Sequence, residues 1–354
     1  MIGLIRPEEC SEMTVNPSAY QGGSTACLTP PRKWTEDVQA WVSTSWDHFD
    51  PSHAHRLFWP DRPYRPDIEI LVAGCGPSQA AVIAYNNPQA RVTAIDVDEA
   101  ALNHETYLRH KHLLLNLDVR PLHPLPVEEV AILNRKFDLV IASGVLQHLD
   151  SPGPGMKALA DVLKFDGVAA VMVPSRHMTT PEDMDAGGAS YTVQDCLDIV
   201  AGAGLVFQEW VLKTPYYPPA PTATDDEFLD TVRALPERRI WSAIEPLRNH
   251  SGRHLFTACR PERPAATYRI DFSAPEVVNY VPQGRPNVSL GETHISRPGF
   301  AAHLTPSELA IAREVDGERS IGRIAGQAEA EIGATVEFVK KLWQTDFVAI
   351  HLPA

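Results

Sequence analysis

From Ile68 onward, short apolar runs alternate with longer amphipathic ones, the pattern of βαβ units feeding a mostly parallel sheet. The pattern predicts strands over 68–74 (IEILVAG), 90–97 (ARVTAIDV), 117–122 (LDVRPL), 137–144 (FDLVIASG), 168–174 (VAAVMVP) and 205–212 (LVFQEWVL). Helical segments alternate with them at SQAAVIAYNN, DEAALNHETYLRHKHLLL, EEVAILN, GMKALADVLKF and TVQDCLDIVAGAG. A last run, RHLFTACR (253–260), follows a polar helical stretch instead of a short crossover, so an antiparallel strand completing a seven-stranded sheet is expected there. The fold class is therefore α/β, doubly wound, with residues 67–260 as its main domain.

The flanks read differently. Residues 1–66 form an N-terminal arm and lead-in: no period over the first 30 residues, then Trp34, Val38, Trp41 and Val42 at helical spacing within 34–49, then an irregular stretch from Pro51 to Pro66 with four prolines. Residues 213–251 are an insert; if the strand before it is parallel to its neighbours, the insert starts at the carboxyl edge of the sheet, where open α/β folds place ligands. It reads as a substrate cover or as an ordinary surface insertion. Residues 261–303 are proline-rich and expected as a linker. Periodicity returns over 304–354: Thr305 and Glu308 have capping-box spacing, Leu309, Val315, Ile321, Ile324, Val336, Val339 and Leu342 mark three short helices, and FVAIHL reads as a closing strand. This is expected as a small helical, winged-helix-like domain.

Composition narrows the partners. A net charge of −14 in 354 residues opposes a broad electrostatic grip on nucleic acid or anionic membrane, so small molecules or peptides are the expected partners. The winged-helix-like unit does not change this, because AREVDGER and GQAEAEIG offer at least as many acids as bases, five against two. It would cover its own core or that of a second copy in a homodimer. Five scattered cysteines without a Cys-x-x-Cys pair fit neither a disulfide scaffold nor a zinc site. MIGLIRPEEC is too short and too charged for a secretory signal, and no apolar run approaches membrane-spanning length, so a cytoplasmic location is expected.

The chemistry concentrates in IEILVAGCGPS and, about twenty residues later, VTAIDVDEAAL. A strand ending in Gly-x-Gly turns tightly, and Gly74 and Gly76 let a ligand approach the main chain. Asp96, at the tip of the second strand, is placed to accept both ribose hydroxyls of an adenosine. Dinucleotide sites share these features, but their Gly-x-Gly-x-x-Gly pattern needs glycine where this chain has Gln79. A ligand without phosphates suits the loop better.

In LVAGCGPSQA, ARVTAIDVDEAAL and FDLVIASGVLQHLDSPGPGMKALADVLKFDGVAAVMV the chain resembles the class I S-adenosylmethionine-dependent methyltransferases, with AGCG and the VLxHLxxP segment similar to a bacterial subgroup with a C-terminal winged-helix-like extension. The resemblance implies a Rossmann-like fold, S-adenosylmethionine as cofactor, and methyl transfer to an N, O or C nucleophile. By that resemblance Ala73, Gly74, Cys75 and Gly76 line the methionine part of the cofactor, Asp96 holds the ribose, Val97 packs on adenine, and Ser143 and Gly144 lie beneath the sulfonium. Ser78 stands where the family carries a third glycine. His123 stands where it often carries an acid for the adenine amino group; a neutral imidazole accepts one such hydrogen bond.

His148 lies where the family often has a histidine near the substrate and is the candidate catalytic base, its other reading being a structural histidine. Gln147 and Arg176 are further candidates near the acceptor. Tyr216, Tyr217, Trp46 and His48 read as an aromatic substrate wall or as core, and Arg109 to His112 as a solvated helix face. Two alternatives remain open: a non-catalytic binding or regulatory module on the same fold, and a nucleotide-dependent oxidoreductase, which Gln79 and the absence of a Tyr-x-x-x-Lys pattern disfavour.

Overall fold

The structure, a computed structural model, describes residues 48–121, 127–177, 188–219, 227–248 and 252–353. The N-terminal arm, the expected helix up to residue 47 with Trp46, and His123 lie outside the described residues.

Seven strands form the central sheet: β1 (Glu69–Ala73), β2 (Arg91–Asp96), β3 (Leu117–Pro121), β4 (Phe137–Ser143), β5 (Leu163–Pro174), β6 (Val206–Trp210) and β7 (Arg253–Cys259), in the order β3-β2-β1-β4-β5-β7-β6. All neighbours pair in parallel except β7, which runs antiparallel to both β5 and β6. The order reverses between β1 and β4, so a crevice opens at their carboxyl ends. This is the doubly wound, Rossmann-like sheet that the alternating pattern predicts.

The central strands are covered on both faces, which is why they read as continuous apolar runs. Their alternate residues divide between two cores: Leu71, Ala73, Val140 and Ala142 face one, and Ile70, Val72, Leu139 and Ile141 the other. The helices lying between strands β1 and β3 are α2 (Gln79–Asn86) and α3 (Glu99–Lys111), with α4 (Pro152–Asp161) between β4 and β5 and α5 (Val193–Gly202) before β6; a helix α1 (Pro51–Phe58) precedes the sheet.

Several expectations need correction. Pro51–Pro66 is not irregular throughout: α1 starts on Pro51, whose missing N–H costs nothing at the first helical position, and Asp50 caps it by accepting from Ser52 N. EEVAILN and the start of VLQHL form 3-10 turns, Val127–Leu133 and Leu146–His148, instead of α-helices. LKF, expected at the end of a helix, already belongs to β5, where Leu163 pairs with Phe137.

The C-terminal part departs most. The insert holds α6 (Glu227–Arg233) and α7 (Glu237–Arg248). Residues 261–303, expected as a linker, carry β8 (Val281–Gly284), β9 (Ser289–Leu290), β10 (His294–Arg297) and β11 (Phe300–His303), the last three forming a small sheet. The three expected helices follow as α8 (Pro306–Arg313), α9 (Ile321–Gln327) and α10 (Ile332–Gln344), and the closing strand as β12 (Val348–His351). The capping box is present, with Thr305 and Glu308 bonded reciprocally. β12 pairs antiparallel with β8, and Ile321, Ile324, Phe338, Val339 and Leu342 share one apolar core with the sheet face of β1 and β4. Short strands separated by prolines show no usable period, and their partner, β12, is distant in sequence; hence the linker expectation. Among the described residues no helix is long and apolar enough to cross a membrane.

Candidate functional site

The crevice between β1 and β4 is lined by three glycines with left-handed backbone: Gly74 (φ +68°), Gly76 (φ +54°) and Gly144 (φ +72°). A side chain at Gly74 would be strained by its φ and would also meet Val145 Cγ2 at 2.2 Å, so glycine is required for the loop after β1 to lie against the loop after β4. The Gly74 N–H donates to Ile95 O at 2.9 Å, tying the loop to the end of β2. Ser78 stands at the cap position of α2 with φ −162°, outside the left-handed region, so its backbone does not call for glycine.

Asp96 ends β2 beside this loop. One carboxylate oxygen accepts from Gly76 N–H at 3.0 Å, the other from Asp98 N–H at 2.9 Å, and Cys75 Sγ lies 3.9 Å away. A carboxylate has about four acceptor positions, and with the Cys75 thiol counted at least three are in use, so room is left for a ribose hydroxyl. Burial raises the Asp96 pKa above the usual carboxylate value, opposed by those backbone N–H bonds. Next to it Val97 is 63% exposed, an apolar surface open to a flat ring. Ala73 and Cys75 are buried, and at the end of β4 Ser143 accepts from Gln79 Nε2 at 3.2 Å while Gly144 N–H donates to Met172 O. Of the expected cofactor residues, Ala73, Gly74, Cys75, Gly76, Asp96 and Val97 therefore adjoin one another at the β1 and β2 carboxyl ends, and Gln79 links them to Ser143 and Gly144.

On the acceptor side the picture is mixed. His148 is exposed at the end of its 3-10 turn, and burial of part of its ring lowers its pKa. Beside it, the Oε1 atom of Gln147 is buried without a hydrogen-bond partner among the described residues. Gly188 packs on the Gln147 side chain, where a Cβ would meet Cγ at 2.8 Å. Arg176 is turned to Ser190 O and Asp195, both at 3.1 Å, and so clasps the chain before α5. Tyr216 and Tyr217 are core: Tyr216 stacks on Trp210 with centroids 3.8 Å apart and bonds His254 Nδ1 at 2.8 Å, while Tyr217 donates to Glu237 at 2.7 Å. His48 is held near Asp346 and Arg285, and burial lowers its pKa to about 3, which keeps it neutral. Arg109 to His112 stay on the outer side of α3, with Lys111 over the Tyr107 ring.

Two residues escaped the sequence reading. Glu105 is fully enclosed and accepts from Ala80 N–H and Ala81 N–H, both at 2.9 Å; Glu245, also buried, accepts from Val193 N–H at 3.0 Å and approaches His254 Nε2 at 3.1 Å. Each therefore holds the first turn of a helix from a neighbouring one. The signal was present: Glu105 lies on the apolar stripe Ala101, Leu102, Leu108 of α3, and Glu245 next to Trp241 and Ile244 on α7. An acid on a buried stripe is rare unless it has partners.

This geometry is a switch-point crevice on a Rossmann-like fold, with a glycine loop after β1 and an acid at the end of β2. A methyltransferase domain model matches residues 71–169, the span from β1 into β5. A malonyl-[acyl-carrier protein] O-methyltransferase from Acetivibrio thermocellus is 34% identical over 116 residues, 32% of this chain and 38% of that protein. An uncharacterized protein from Synechococcus sp. is 33% identical over 105 residues, covering 29% of this chain and 25% of that one. The matched region thus spans well under half of either relative. Among solved structures, PKMT2 from Rickettsia typhi superimposes with a TM-score of 0.59 at 10% identity over 86% of this chain and 76% of that one, and its complex with AdoHcy with a TM-score of 0.60. Residues 71–169 are thus similar to a methyltransferase domain, and the fold around them is shared with the solved PKMT2 structure.

Proposed function

We propose that the protein transfers a methyl group from S-adenosylmethionine to an N, O or C nucleophile of a small molecule or peptide. The observation that carries this reading is Asp96: a partly buried carboxylate at the end of β2, joined to Gly76 and with room left for a ribose hydroxyl. Ala73 to Gly76 would take the amino acid end of the cofactor, Asp96 the ribose, Val97 the adenine face, and Ser143 and Gly144 the sulfonium side; His123 is retained as an adenine contact. S-adenosylmethionine supplies an electrophilic methyl on a cationic sulfur. The protein's own part is to hold an acceptor in line, which is the main requirement of such a displacement.

His148 is the proposed base for an acceptor that must lose a proton, and the lowered pKa keeps its ring neutral near pH 7. Gln147 Oε1, buried and unpartnered among the described residues, would accept from an acceptor N–H or O–H. The C-terminal unit extends upstream of 304 to include β8 and serves as cover over one sheet face. Binding of a second copy, and a cytoplasmic location, are further parts of this proposal.

Calorimetric titration with S-adenosylmethionine, S-adenosylhomocysteine and NAD tests the reading. Binding of both sulfur compounds and not NAD is expected; no heat with either, at concentrations well above cellular ones, overturns it.

A further inference from the structure

A helix leaves its first N–H groups without intrahelical partners, and nucleotide-binding folds turn those donors toward phosphate. In this protein the donors at the start of α2, directly after the glycine loop, are already taken. Ala80 N–H donates to one Glu105 oxygen and Ala81 N–H to the other, each at 2.9 Å. Ser78, at the cap position, makes no side-chain capping bond, so a carboxyl from α3 does the capping. The neighbouring His104 bonds Pro77 O at 2.7 Å through Nδ1, so two successive α3 residues grip the loop. Gln79 stands where the dinucleotide pattern needs glycine, and its side chain crosses to Ser143.

We propose that Glu105 is a specificity determinant of this loop: its carboxyl fills the amide donors at the start of α2 and thereby makes the site reject phosphate-bearing adenine ligands. The proposal rests on reading the loop as an S-adenosylmethionine site and states what restricts it to that chemistry. A phosphate brought to α2 would have to displace a group with no solvent access and no other described partner, and a buried polar group without partners is costly. Steric exclusion does not depend on ionisation, because a neutral carboxyl occupies the same volume and its carbonyl oxygen still takes one of the donors. Burial raises the Glu105 pKa to about 8, with the two N–H bonds opposing and Asp96 adding to the rise, so ionisation at alkaline pH would add like-charge repulsion. S-adenosylmethionine carries no phosphate and needs neither donor.

The test is calorimetric titration of wild-type protein, Glu105→Gln and Glu105→Ala with S-adenosylhomocysteine and with ADP as the phosphate-bearing probe. In wild-type protein, S-adenosylhomocysteine binds and ADP gives no heat at millimolar concentration. In Glu105→Ala, which frees both donors, the affinity of ADP relative to S-adenosylhomocysteine rises by about tenfold or more, the scale of one recovered hydrogen bond to a charged group. Glu105→Gln, which keeps the volume and one acceptor, falls between. A variant with wild-type circular dichroism and an unchanged ratio overturns the proposal. Wild-type protein that binds ADP as tightly as S-adenosylhomocysteine overturns it without any variant. Wild-type protein that binds no S-adenosylhomocysteine removes instead the reading on which the proposal rests.

Discussion

Asp96 and Asp346 are both carboxylates that accept from backbone N–H groups at a chain reversal, yet they do opposite work. Asp346, between α10 and β12 with φ +64°, accepts from Lys213 N at 2.8 Å, Thr214 N at 3.0 Å, Thr214 Oγ1 at 2.7 Å and Arg285 at 2.9 Å, with Arg297 at 3.8 Å. Its acceptor positions are filled and its charge is matched, so the nearby guanidinium and ammonium groups hold its pKa below the ordinary value despite burial. Asp96 is bonded by the backbone N–H groups of Gly76, Asp98 and Val97, has no cation in contact among the described residues, and has a pKa raised by burial. A saturated, compensated acid locks structure; an uncompensated one with room left is the one we propose to hold the ligand. Asp346 thus fastens the start of the insert to the C-terminal unit, while Asp96 waits at the edge of the sheet.

The largest effect expected from breaking this contrast is on stability. Asp346→Asn keeps the shape and tolerates the left-handed backbone but removes the negative charge that compensates the buried Arg285, and should cost about 3–5 kcal/mol in urea unfolding. A loss under about 1 kcal/mol would mean the cluster is not a lock. Asp96→Ala should do the reverse: S-adenosylhomocysteine affinity falls about 100-fold, the scale of a lost hydrogen bond to a charged acceptor, while the melting temperature changes little. A large stability loss with unchanged affinity would exchange the two roles.

Acidity should separate the two further. A depressed native pKa means that the Asp346 contribution is fully present above the ordinary carboxylate value and is lost as pH falls from there through the lower native value, so the stability gap between wild type and Asp346→Asn should stay flat from pH 7 to about 5. Asp96 has a raised pKa, so ligand affinity should begin to fall at a higher pH than an ordinary carboxylate would dictate. Calorimetry across that range, with Asp96→Ala as the flat control, checks it. His55 and His351, lowered by burial to about 4, add a stability loss as pH falls from the ordinary histidine value toward 4, because the unfolded chain binds those protons first. The smallest effect is local: Thr305→Ala removes the α8 cap and should cost about 1 kcal/mol.

The cofactor half was legible because its information is local. Gly74, Gly76 and Asp96 lie on two consecutive strands, and β1, β2 and β4 read directly from apolar runs whose alternate residues fill two cores. The C-terminal half was not. The β8–β12 pair joins Val281 to His351, and Pro282 within β8 breaks the residue pattern that would announce a strand. Tyr216, offered as a substrate contact, proved to be core because its partners Trp210 and His254 come from two other strands.

The sequence by itself determined the strand order's raw material, the glycine turn and the acid beside it, since apolar period and left-handed backbone are properties of neighbouring residues. Which carboxylates are spent and which are spare was decided only by the tertiary structure. Asp96, Glu105, Glu245 and Asp346 look alike along the chain, and the number of donors each receives is set by elements folded against it from elsewhere.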